Sequence, residues 1–157
     1  MRDLNELQLK RGGEQLTEEQ YETFLTSYNL ILPQSYKEFM LFKNGGYSSV
    51  NSYDGGTINF GYSVDEFFMI GEIWGLGERP EGVDVRNVRS TLEHPALVDN
   101  ITSTLYPFAS GGGGVFLCIG KDDHKIYSIY QSDDEPTYVA PSFEDFINGL
   151  EDVPYEE

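Results

Sequence analysis

The sequence is poor in cysteine, histidine and positive charge, and each shortage excludes something. A single cysteine, Cys118, rules out a disulfide within the chain and makes a reducing compartment the simplest context. Ten Lys and Arg stand against 27 Asp and Glu, a formal net charge of -17. Phosphate binding requires clustered Lys and Arg, so nucleic acid and anionic membrane surfaces are not expected partners. No uncharged apolar run approaches the length of a membrane span. The N-terminus opens Met1-Arg2-Asp3 and goes on mixing charges, without a signal-peptide core. A soluble, cytoplasmic protein is expected.

The motifs of cofactor and metal chemistry are missing too. The Gly111–Gly114 run is not a phosphate loop, because the only Gly-Lys pair, Gly120-Lys121, is followed by Asp122 rather than Ser or Thr. Gly75-Leu76-Gly77-Glu78-Arg79-Pro80 lacks the third glycine of a dinucleotide fingerprint. Asp122-Asp123-His124 and Asp133-Asp134-Glu135 lack the ligand spacing of a zinc site or a twelve-residue calcium loop, so a solvated turn is the expectation for each. Of the two histidines, His94 precedes a proline and His124 lies in a charged turn. No Gly-x-Ser-x-Gly elbow surrounds any serine. No enzyme activity, cofactor or metal is expected.

What is present suits one domain. Hydrophobic residues make up 39% of the chain, enough to build a core. The pattern places one domain over 1–157, with a core at about 16–150 and an acidic tail at 151–157. Thr17-Glu18-Glu19-Gln20 is a capping box ahead of Tyr21, Phe24, Leu25 and Tyr28, an amphipathic helical stripe. A second helix follows, with Pro33 in its first turn, Tyr36, Phe39 and Met40 on one face, and Asn44-Gly45-Gly46 as a left-handed stop. Tyr47 to Ile73 turns to β character, with a turn at Tyr53-Asp54-Gly55-Gly56-Thr57. Gly75 to Gly82 reads as an irregular loop, and Val85, Val88 and Leu92 fit a helical face that His94-Pro95 would end. Tyr106–Ala109, Val115–Ile119 and Lys125–Tyr130 are strand-like, the last two forming an antiparallel hairpin. Tyr138 to Ala140 adds a short strand, and Ser142 caps a last helix bearing Phe143, Phe146, Ile147 and Leu150. Strands in the middle and helices at both ends predict an α+β fold, a central antiparallel sheet with helices on one face.

Two features point to binding. The acids Asp122, Asp123, Asp133, Asp134 and Glu135, with Glu144, Asp145, Glu151, Asp152, Glu156 and Glu157 after them, are opposed only by Lys121 and Lys125 beyond Ile101. Such an imbalance serves solubility or steers a basic partner. Tyr47, Tyr53, Tyr62 and Trp74 sit near glycine-rich turns, and exposed aromatics beside acids make binding surfaces. The candidate partner-binding residues are Tyr53, Asp54, Trp74, Asp122, Asp123, Asp133, Asp134 and Glu135.

In order along the chain, Leu32-Pro33-x-x-Tyr36-Lys37-Glu38-Phe39 and Asn44-Gly45-Gly46 resemble the opening signature of the SMI1/KNR4 (SUKH) superfamily. Pro107-Phe108-Ala109, the glycine run, Val115–Ile119 and Lys125-Ile126-Tyr127 resemble its central strands. Ser142-Phe143-Glu144-Asp145-Phe146-Ile147 is similar to its closing helix. The resemblance implies an α+β domain with a central antiparallel sheet. Bacterial members typically serve as immunity proteins that bind a cognate toxin domain, frequently a nuclease, while fungal members are linked to cell-wall synthesis and signalling. The expected partner is thus a toxin domain or another basic protein, and the alternative is a regulatory interaction scaffold. The matched residues are fold-forming and do not locate a partner surface.

Overall fold

The computed structural model of the chain describes residues 1–53, 62–71, 82–93, 103–130 and 135–152. A short 3-10 turn, Leu4–Leu7, buries Leu7. Helix α1, Glu18–Ser27, starts at the expected capping box: Thr17 Oγ1 accepts from the Gln20 amide and Gln20 Oε1 accepts from the Thr17 amide. Helix α2 is Gln34–Phe42. Pro33 is its N-cap rather than a first-turn residue, because its ψ of 152 is still extended. Its ring-locked φ fits either position, which is why the sequence does not separate them. The chain leaves α2 through extended Lys43 and turns at Gly45, whose φ is 77. A Cβ there would stand 2.7 Å from the Phe67 carbonyl oxygen, so the left-handed turn and the close approach both require glycine.

Among the described residues seven strands form the sheet: β1 Ser52–Tyr53, β2 Tyr62–Phe67, β3 Leu105–Gly111, β4 Val115–Gly120, β5 Ile126–Ile129, β6 Thr137–Ala140 and β7 Leu150–Glu151. Their order is β6-β5-β4-β3-β2-β1-β7, with every neighbouring pair antiparallel. Between β2 and β3 lies a short helix α3, Val88–Leu92, which buries Val88 and Leu92; Val85 is buried just ahead of it. Helix α4, Phe143–Asn148, is capped by Ser142 as expected. Strand β7 follows α4 at once and pairs with β1.

The architecture is α+β, an antiparallel sheet with α1, α2 and α4 against one face. Aromatic rings fill that interface. Tyr36 and Phe143 meet edge-on at 5.2 Å, as do Phe108 and Phe143 at 5.2 Å, and Phe39 and Phe67 lie tilted at 4.9 Å. Pairing of Tyr106 with Ile119 puts both on the helix face, so strand alternation turns Cys118 and Phe116 to the other. There Phe116 lies 6.3 Å from Phe68, and the Arg86 guanidinium sits over both rings. All six residues of β4 are buried, so the centre of the sheet is covered on both faces.

The core begins before residue 16, where the helical period starts. Leu7 and Leu9 belong to it, held because the chain from Lys10 bridges to Tyr47. The three leucines of this stretch follow no helical or strand period, so spacing gives no sign of their burial. The expected turn at 54–57, the loop at 75–81 and the His94-Pro95 stop lie outside the described residues.

Candidate functional site

The hairpin between β4 and β5 turns through Lys121-Asp122-Asp123-His124-Lys125. Its backbone closes with the Gly120 amide donating to the Lys125 carbonyl at 2.8 Å and the His124 amide donating to the Gly120 carbonyl at 2.9 Å. His124 adopts a left-handed φ of 58. Asp123 folds back over the turn: Oδ1 accepts from the Lys125 amide at 2.9 Å, and Oδ2 accepts from the Tyr127 hydroxyl. Partial burial pushes the Asp123 carboxyl up. The Tyr127 hydroxyl, the Lys125 amide and the Lys125 charge together outweigh it and hold the group below the usual aspartate value. Asp122 is exposed and makes no hydrogen bond or ion pair with the described residues. Two adjacent acids thus have different work: Asp123 shapes the turn, and Asp122 projects from it.

The turn is joined to the helices by His124, whose Nε2 lies 3.0 Å from the Ile31 carbonyl oxygen. A carbonyl only accepts, so Nε2 carries the hydrogen in this contact. Ile31 lies in the link between α1 and α2 and is 80% exposed, beside Leu30 at 7%. Next to it a shallow depression of about 500 Å³ is lined by Tyr21, Leu25, Leu32 and Lys37, among others. Lys37 is held there by Glu18 at 2.7 Å and Glu22 at 2.9 Å. On the other side of the turn, the Tyr127 ring meets Tyr138 edge-on at 6.2 Å, and Tyr138 is 53% exposed. The turn is thus a ridge at the end of the hairpin, touched by Ile31 from the helix side and, through Asp123 and Tyr127, by Tyr138 on the opposite face of the sheet.

Of the residues singled out from sequence, Asp122 and Asp123 lie at the centre of this ridge. Glu135 is exposed just ahead of β6. Tyr53 is corrected: it is 6% exposed, its ring 4.8 Å from Phe146, so it belongs to the core. Its two-residue strand is clamped between β2 and β7, and β7 could not be read from the sequence. Tyr47 and Tyr62 are half-buried, Tyr47 donating to the Asp84 carbonyl and Tyr62 accepting from Ser128. Asp54, Trp74, Asp133 and Asp134 lie outside the described residues.

Sequence reasoning missed Ile31 and Tyr138. Ile31 stands in an apolar Leu30-Ile31-Leu32 run that reads as core. Strand alternation of Tyr138 with Val139 carried a usable signal, since one of the two had to face outward.

Elsewhere acids are engaged by their own cations, Asp84 with Arg11 at 2.8 Å and Glu66 with Arg86 at 3.6 Å. Among the described residues no group of three or more His, Cys, Asp or Glu is placed to hold a metal ion. No helix among them is long and apolar enough to cross a membrane.

Compared with known proteins, residues 15–149 match a model of the SMI1 / KNR4 family (SUKH-1). The matched span opens just before the Thr17 cap of α1 and closes after α4, so it takes in the whole of the ridge. No curated protein matches the chain.

Proposed function

Because the chain belongs to the SMI1/KNR4 (SUKH-1) family, we propose that it is an immunity protein, a non-catalytic partner that binds and neutralises a cognate basic toxin domain. Family membership supports the class of role. The observation that carries the finer reading is Asp122, an exposed carboxylate with no hydrogen bond or ion pair to the described residues, in a chain of net charge -17. A toxin that acts on nucleic acid is basic where it grips phosphate. An acidic inhibitor is drawn to that surface at long range and held there by a few buried contacts.

The fate of the reactive side chains supports a role without catalysis. The Cys118 thiol is fully buried, and desolvation pushes its pKa far up. His124 spends Nε2 on the Ile31 carbonyl. Neither is set beside a partner as nucleophile or base.

The test is co-production with the toxin domain encoded beside the chain's own gene, followed by calorimetry at low and high salt. A one-to-one complex that restores growth and weakens with salt is the expected result. Capture of a housekeeping protein alone, with growth still arrested, would replace this reading with the regulatory scaffold.

A further inference from the structure

We infer that the cleft beside α1 is a docking site for an extended segment of a partner protein, one with a cation at one end, a carboxylate at the other and an apolar side chain between them. The cleft encloses about 630 Å³ between residues 13–17, α1, Met69–Gly71 and Arg89. Three contacts make it one site. The Asn44 side-chain amide donates to the Glu14 and Ile70 carbonyls and accepts from the Ile70 amide, each at 2.8 Å, stapling one wall to the floor. The Val88 amide donates to the Met69 carbonyl at 2.7 Å and brings α3, with Arg89, against the same floor. The Arg89 guanidinium in turn lies over the Phe24 and Tyr28 rings of α1, at 5.3 and 5.4 Å from their centroids. A cleft held in this way exists before anything binds, which keeps the cost of ordering low.

Its chemistry changes along its length, and that selects the occupant. Leu16, Met69 and Ile70 are buried and make the floor apolar. At the N-terminal end of α1, Glu14 and Glu19 are exposed carboxylates without an ion pair among the described residues. At the other end Arg89 is a partly buried cation, also without one, although acids outnumber Lys and Arg by 27 to 10. Glu93, one turn on from Arg89, is engaged by the Tyr28 hydroxyl instead. Arg89 Nε is buried and has no hydrogen-bond partner, so an arriving carboxylate offsets a desolvation already incurred. Phe24 and Tyr28 lie roughly 8–14 Å beyond Glu19 along the helix axis. An extended segment spans about 13 Å between charges four residues apart, with the residue midway on the same face. A ligand of one charge sign meets repulsion at one end. A segment of mixed charge can belong to any protein partner, so the cleft does not rest on the basic-toxin reading.

The test titrates the full chain, labelled with nitrogen-15, with the end-blocked peptide Lys-Ser-Leu-Ser-Glu. Shifts are expected at residues 13–23, 69–71 and 83–89. Affinity should exceed by at least about tenfold that of the same peptide with lysine at both ends or glutamate at both ends. Glu19→Lys and Arg89→Gln should each abolish that preference. Glu19 is exposed, so its variant keeps the fold, and the spectrum of Arg89→Gln reports whether α3 stays in place. No binding, shifts elsewhere, equal or tighter binding of the lysine-ended peptide, or a preference that survives Glu19→Lys would each overturn the cleft, and none of these touches the basic-toxin reading.

Discussion

The hydroxyls of Tyr36 and Tyr106 lie 2.6 Å apart in the buried interface between α2 and β3. Each ring is 1% exposed or less, so among the described residues the pair is the compensation each hydroxyl has for lost water. Removing one oxygen strands the other. Tyr36→Phe or Tyr106→Phe alone should cost about 1–3 kcal/mol, and the double variant should be closer to wild type than the sum of the two. A double-mutant cycle by urea unfolding reads this directly, and strict additivity would show that the two hydroxyls do not depend on one another.

The same pair gives an alkaline signature. Burial holds both phenols well above the ordinary tyrosine value of 10.0. The unfolded chain releases these protons near that value, whereas the folded chain keeps them. Their contribution to stability is thus full below about pH 10 and is lost as pH rises toward the folded values. Ultraviolet titration of tyrosine should show these phenols ionising only as the protein unfolds.

Arg2 closes the far end of α4. Its Nη1 donates to the Ile147 carbonyl, in the last turn of the helix, at 3.0 Å and to the Leu150 carbonyl of β7 at 2.7 Å, tying the helix end to the strand that follows it. Arg2→Met keeps the aliphatic stem and removes both bonds, together with the exposed ion pair from Arg2 Nε to Glu6 at 3.2 Å. A loss of about 1–2 kcal/mol is expected, seen as a lower urea midpoint with unchanged slope. An unmoved midpoint would mean that water serves these carbonyls equally well.

Cys118 lies in the middle of β4, fully buried. With desolvation pushing the thiol pKa up, almost no thiolate exists at neutral pH. A thiol-specific reagent should leave the folded protein untouched and react quickly in denaturant. Labelling without unfolding would place the cysteine in a region that opens locally.

Local chemistry explains which parts were legible. The Thr17 box, the Ser142 cap and the Val115–Tyr130 hairpin are specified by residues adjacent in sequence, and they form where the pattern puts them. The N-terminal leucines, strand β7 and the Arg2 contacts depend on residues far apart, with |i−j| of 145 and 148 for the Arg2 bonds, and no period encodes them. The ridge divides the same way. Asp122 and Asp123 stood out by charge. The split between them depends on the Tyr127 hydroxyl, and the place of Ile31 depends on His124 from another element.

That split yields a prediction about acid. Asp123 is held below its ordinary value of 3.8, because contacts with Tyr127 and Lys125 outweigh its partial burial. A depressed carboxyl stabilises the fold above that ordinary value, and the contribution is lost as pH falls through the folded one. Asp123→Ala should therefore cost about 1 kcal/mol at neutral pH, the scale of surface-exposed hydrogen bonds, and the gap from wild type should close below about pH 4. Gly120→Ala attacks the same contact sterically, since a Cβ there would stand 2.3 Å from Asp123 Oδ1. The carboxylate must then swing away, so Gly120→Ala combined with Asp123→Ala should cost less than the two apart. Asp122→Ala, one residue away, should leave stability unchanged while weakening partner binding. Equal stability effects at 122 and 123 would mean that the backbone bonds of Gly120 hold the turn by themselves, and that Asp123 is as free as its neighbour to meet a partner.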